Sequence, residues 1–230
     1  MNGAMSIPRR IFRLGNPLFP IIRWHNTPAG DRLSSRISAH LNSSKLFNPA
    51  KMPRAISKFI THYPWTLNHI PGSGSVSMYN DVDARRIEIK WDIMNNSPGN
   101  FLKVRSPLTA HFIAHQATIP FSISIEDKLT PQGMLFHCRT RQGTIYRYVI
   151  NSVQCYSSHA ERDSKTSYRG PLFESLEATL QESFDEVLHS WGMTSEVVDF
   201  VEASSQYYNN SEYVRWLLNI NDFISSTSSD

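Results

Sequence analysis

Residues 212–224 read EYVRWLLNINDFI, and their spacing decides the class of fold. Tyr213, Trp216, Leu217, Ile220, Phe223 and Ile224 recur every three or four residues, the stripe of an amphipathic helix. Val214 and Leu218 widen that stripe beyond what one neighbour needs, so this helix is expected to pack on two sides. Upstream, Leu172, Phe173, Leu176, Leu180, Phe184, Val187, Leu188 and Trp191 keep the same period. Pro171 suits a first helical position there and Gly192 a C-terminal stop. A second helix is expected from Thr194 through Val197, Val198, Phe200 and Val201. A third is expected from Asn209, with Glu212 as its capping-box partner.

Before residue 157 the period is two. Arg86–Ile93 alternates Ile87, Ile89, Trp91 and Ile93 with Arg86, Glu88, Lys90 and Asp92, a half-buried antiparallel strand. Phe121, Ile123 and Ile125 alternate with serines in the same way. Pro71-Gly72-Ser73-Gly74 and Asn80–Ala84 supply turn chemistry between further short strands. Met134–Arg141 and Thr144–Tyr156, joined by Gln142-Gly143, read as a hairpin with a two-residue turn. That register sets Cys138 opposite Arg147 and Cys155 opposite Thr130, so the cysteines are expected as free thiols. Strands followed by helices make an α+β fold, with the helices stacked on one side of an antiparallel sheet.

Charge divides the 230 residues into three zones. Residues 1–60 carry +9, residues 61–170 carry +4 and residues 171–230 carry −10. An Arg-rich, acid-poor leader around Ile7, Ile11, Phe12 and Leu14 has the composition of a mitochondrial presequence, and a retained basic arm is the other reading. Residues 1–50 are assigned to that leader and 51–230 to one domain, with strands at about 65–157 and helices at about 171–224. Two cysteines make no disulfide framework. No run of eighteen apolar residues is present to span a membrane.

Catalytic motifs are missing. His111 and His115 lie four apart without the intervening Glu of a metalloprotease, and their surroundings alternate as a strand does. Gly72 and Gly74 lack the third glycine of a dinucleotide fingerprint. Asp81 and Asp83 flank a turn and read as turn-formers. Cys138 has no CxxC partner. No enzyme, cofactor or metal is expected. On the hairpin, Met134, Phe136, Cys138, Ile145, Val149 and Val153 share one face, interrupted by Arg147. His137, Arg139, Arg141, Tyr146 and Tyr148 share the other. Interleaved bases and rings can hold single-stranded nucleic acid, so Arg139, Arg141, Tyr146 and Tyr148 are the candidate RNA contacts. The plainer reading of that face is cross-strand pairing. Eleven acids against one base after residue 170 favour cationic partners.

Tyr168-Arg169-Gly170-Pro171, the leucine and phenylalanine series to Leu188, Gly192, Phe200 and Glu212–Leu217 with Phe223 resemble the C-terminal part of the mitochondrial acidic matrix protein (mitochondrial glycoprotein) family, its kinetoplastid branch above all. The resemblance implies a twisted antiparallel sheet of about seven strands, one N-terminal helix and two to three C-terminal helices, assembled as a doughnut-like trimer in the mitochondrial matrix. It implies no catalytic site. It also implies that the first helix, drawn from residues 31–47 or 52–62, packs against the last. The expected role is a non-enzymatic scaffold or assembly factor for mitochondrial translation, ribosomes or RNA processing, in a homotrimer or a heterotrimer with paralogues. Its expected partners are basic mitochondrial proteins, with RNA reached mainly through them; the alternative is an RNA-binding module. Tyr213, Val214, Trp216, Leu217, Leu218, Ile220 and Phe223 are the expected helix-packing or subunit-interface residues. Trp216 or Leu217 is expected to pack within the subunit, and Val214 and Leu218 to supply the second contact.

Overall fold

The computed structural model describes residues 28–43, 52–93 and 118–226. His111 and His115 lie outside them. Six antiparallel strands form one sheet in sequence order: β1 (Thr66–His69), β2 (Ser75–Val82), β3 (Arg85–Asp92), β4 (Pro120–Asp127), β5 (Gly133–Thr140) and β6 (Tyr148–Tyr156). The expectation was about seven, and six stand among the described residues.

Alternation in the sequence becomes sidedness in the sheet. Trp91 pairs with Val76 and Phe121, and Ile89 with Met78 and Ile123, so the apolar rows of β2, β3 and β4 share one face. Phe136 and Cys138 of β5 continue that face opposite Ile123 and Phe121. All these side chains are buried. Ser77, Lys90, Ser122, His137 and Ser152 form a polar cross-strand row on the other face.

Helices cover the apolar face, with one short exception. α1 spans Pro28–Ser43, α2 Arg54–His62, α3 His159–Asp163, α4 Ala178–Ser190 and α5 Ser195–Ser226. The exception, α3, lies on the polar face. Phe59 of α2 stacks on Phe200 of α5 at 4.2 Å between ring centroids, and Phe200 meets Trp91 edge-on. Phe184 of α4 contacts Phe136. α4 ends as expected at Gly192, whose φ of +93° suits glycine. Met193 N–H bonds to Leu188 O and Gly192 N–H to His189 O, both at 3.0 Å, the pair of bonds of a Schellman motif.

Three expectations change. The helix expected from Pro171 starts at Ala178, because a 3-10 turn at Phe173–Ser175 first drops Phe173 into the core. The helices expected from Thr194 and Asn209 are one helix of 32 residues. The β5–β6 connection is a seven-residue loop, residues 141–147, and not a two-residue turn. Cys138 therefore faces Ile150, and Cys155 faces Met134. Both thiols are free, as expected. His137 faces Ser152 while Cys138 faces Ile150, which leaves Asn151 as the extra residue of a bulge.

Arg147 is the physical reason for the longer loop. In the two-residue register it would carry a charge into the apolar face. With φ at +61° it leaves the strand, pairs with Asp199 and reaches Glu202 of α5 at 3.3 Å, where Gln142 joins it.

Candidate functional site

Two features of the surface are candidates for contact, and both begin at the helical layer. The first is a groove of about 890 Å³ between the first half of β6, the 141–147 loop, the 3-10 turn and α4. It arises because the chain after β6 covers only part of that strand. From Ser157 the chain crosses the polar face as α3, held by Gln154 Nε2 donating to Glu161 O and by Arg162 bonding to Glu126 at 2.6 Å. It then wraps the strand edge at Gly170, where an added Cβ would press on the Val153 carbonyl, and enters the core at Phe173. Tyr148–Asn151 remain open to the groove.

The four candidate RNA contacts line this groove but do not form a platform. Arg139 and Arg141 are exposed. Tyr146 is half-buried, its ring 5.4 Å from that of His189 on α4. Tyr148 is 3% exposed and packs edge-on against Phe121, so its ring belongs to the core. The Tyr148 hydroxyl is buried beside the Asp185 carboxylate without closing a well-formed hydrogen bond to it. Burial, then the Asp185 charge, pushes the ionisation of Tyr148 far up. Burial also holds the Asp185 carboxyl above the usual carboxylate range. Glu174, Glu182 and Glu186 stand on the same wall, and the exposed aliphatics Leu172 and Ile145 flank it. Cys138, fully enclosed, has its thiol pushed up by burial, which removes nucleophilic character. Among the described residues no group of three or more His, Cys, Asp or Glu side chains is placed to hold a metal ion.

The second feature is the far half of α5. Here α1 runs antiparallel to it: Ser34 donates to Asn221 at 2.7 Å, and Tyr213 bonds to His40 at 3.1 Å. Ile37 and Leu217, which fall between those bonds along their helices, are buried. Of the expected packing residues, Tyr213, Val214 and Ile220 are half-buried and Leu217 is buried. Trp216 is 55% exposed, Leu218 44% and Phe223 75%. Trp216 and Phe223, seven residues apart, lie on one side of the helix, and the Tyr213 ring stacks on Trp216.

Glu212 and Arg215 have a role that helix periodicity does not show. The Glu212 carboxylate accepts the Gly72 N–H at 3.0 Å and the Arg215 Nε–H at 2.8 Å, which clamps α5 to the β1–β2 turn. The His69 ring lies against that of Tyr208 at the same place, tilted by 32°. The sequence shows the two only as opposite charges beside the apolar stripe, with nothing that couples them to Gly72.

The chain matches the family model described as mitochondrial glycoprotein (MAM33) over residues 37–224, from the buried Ile37 of α1 to the end of α5. Among solved structures it is similar to the p22 protein of Trypanosoma brucei, at 19% identity and a TM-score of 0.62, over 86% of this chain and all of that one. It is also similar to a Leishmania major protein of unknown function described as a sequence homologue of human p32, at 17% identity and a TM-score of 0.63, over 85% of this chain and 99% of that one. At these identities the two structures establish the fold.

Proposed function

Because the chain belongs to the mitochondrial glycoprotein family, a family of mitochondrial, oligomeric interaction proteins, we propose that it is a non-enzymatic trimeric scaffold or assembly factor of the mitochondrial matrix, serving translation, ribosome assembly or RNA processing. The observation that carries the reading is the far half of α5. A helix of 32 residues is about 48 Å long at 1.5 Å per residue, and its buried residues are concentrated in its first half: Val197, Val198, Phe200, Val201, Ser204, Ser205, Tyr208 and Asn209, against Leu217 in the second. Beyond the Glu212 clamp α1 joins it among the described residues, and Trp216 and Phe223 are exposed. Large rings held on a rigid helix are the groups that anchor protein interfaces.

Light scattering tests this. The full chain is expected to have the mass of a trimer, alone or with a paralogue, and Trp216→Asp is expected to shift it to the monomer with an unchanged circular dichroism spectrum. A monomeric wild-type chain that captures no paralogue from mitochondria overturns the trimer. Direct RNA binding is the second reading, favoured by the exposure of Arg139 and Arg141. Capture of protein partners that survives nuclease treatment supports the scaffold; partners lost with the RNA support the module.

A further inference from the structure

The open half of β6 has the construction of a site for one more strand. Among the described residues β6 has a single neighbour, β5, and the wrap that ends at Gly170 closes on its outer edge at Val153. Ahead of the Asn151 bulge the edge opens into the groove, with α4 as the facing wall. A strand edge leaves backbone N–H and C=O groups without a ladder, here with the Tyr148 carbonyl held only by the Thr144 hydroxyl at 3.3 Å, and a groove between an edge strand and a helix is where an extended segment adds itself to a sheet. Side chains of such a segment alternate in direction. Those turned toward α4 would meet Glu182, Asp185 and Glu186, with Leu172 at the rim. The buried Tyr148 hydroxyl lies behind that wall, beside Asp185. Those turned the other way would meet Arg139 and Val149.

We propose that this groove takes an extended segment of a partner protein as a seventh strand, with Lys or Arg at the alternate positions facing α4 and aliphatic residues between them. The proposal rests on the scaffold reading and names the chemistry by which a partner is recognised. Charge selects it: four acids stand on the α4 side of the groove against Arg139 and Arg141. A nucleic acid would be repelled by that wall.

The probe is an end-capped, fluorescent peptide of alternating Lys and Val, about six residues long, which spans the four-residue open edge with about one residue to spare at each end at ~3.3 Å per residue. It is titrated into the full chain. Two isomers carry N-methyl groups on either all Lys or all Val nitrogens. Only one alternate set of N–H groups can point at β6, so one isomer is expected to lose about tenfold or more in affinity while the other keeps it, two lost backbone hydrogen bonds being worth that much. The exposed-site double variant E182Q/E186Q is expected to weaken the parent peptide by about tenfold. Amides of Tyr148–Asn151 are expected to gain hydrogen-exchange protection when the peptide saturates.

Equal binding of both isomers, or no protection at Tyr148–Asn151, overturns strand addition. So does displacement of the peptide by oligouridylate, which would make this an RNA groove. A fall in oligomer mass on adding the peptide also overturns it, since the edge would then join copies of the chain. If the peptide fails while nuclease-resistant partners are still captured, the site is lost and the scaffold stands. If nothing is captured, the scaffold reading itself is lost.

Discussion

At the scale of single residues, Glu212 ties α5 to a part of the chain far from it in sequence. Its carboxylate is largely buried and joins Gly72, Arg215 and, at 3.8 Å, His69. Removing one partner of such a set leaves the others unsatisfied, so Glu212→Ala is expected to cost about 2–3 kcal/mol in urea unfolding; a loss below about 0.5 kcal/mol, the range of ordinary surface substitutions, would refute the clamp. The cost also has a pH signature. Burial holds His69 below its ordinary 6.5, while the Glu212 charge pulls it partly back. A depressed folded-state pKa means stability that is complete above 6.5 and declines as pH falls through the folded value. Without Glu212 that value drops further, so the gap between variant and wild type should widen as pH falls from 6.5 toward 5. Periodicity alone places Glu212 in a capping box, because Asn209 stands three residues before it. The clamp was not legible, since Gly72 is 140 residues away and nothing local couples the two. Arg147 differs: its intrusion into an apolar row was visible as an anomaly, though Asp199 and Glu202 were not visible as its answer.

At the scale of elements, the strands were the most legible part. The alternation of β3 and β4 appears in the structure residue by residue, because period two tolerates no slip without turning every side chain over. α5 was legible only in halves. Between Val201 and Tyr207 lie Glu202, Ala203, Ser204, Ser205 and Gln206, which carry no hydrophobic period. Ser204 and Ser205 are nevertheless fully buried, since small side chains let the helix lie close to the sheet. Their burial is a tertiary fact that a hydropathy pattern misses. The same helix yields an element-level test of the α1 seam. Leu217→Asp places an unpaired charge beside Ile37 and is expected to cost about 3 kcal/mol or more. Trp216→Asp, on the exposed side, should cost the folded subunit under about 1 kcal/mol. Thermal unfolding of the two variants decides: a larger loss for Trp216→Asp would mean that α1 does not hold the far half of α5.

At the scale of the whole molecule, α1 changes what the basic leader can be. Residues 1–27 hold four arginines and no acid, whereas Pro28–Ser43 is a helix with Ile37 buried against α5. If residues 1–50 left as one presequence, Leu217 and Tyr213 would lose the surface they pack on. Cleavage is therefore expected to fall before Pro28 and to leave α1 in place. The net charge would then pass from +3 to −1, so the mature protein is close to neutral and polarised rather than uniformly acidic. Among the described residues its polarity follows the layers: −9 lies in residues 171–226, in the helical layer, and +2 in residues 61–93 and 118–170, mostly the sheet. Such a molecule should attract cationic chains to its helical side with a strong dependence on ionic strength, although its total charge is small. Mass spectrometry of the intact protein from mitochondria checks the starting point directly. A first residue at or before Pro28 fits a subunit that keeps α1; a first residue beyond Ser43 would show that α5 works without it. In that case a chain beginning at residue 51 should unfold at the same temperature as one beginning at residue 28, whereas the α1 seam requires it to unfold several degrees lower, at roughly 2–4 °C per kcal/mol for a domain of this size.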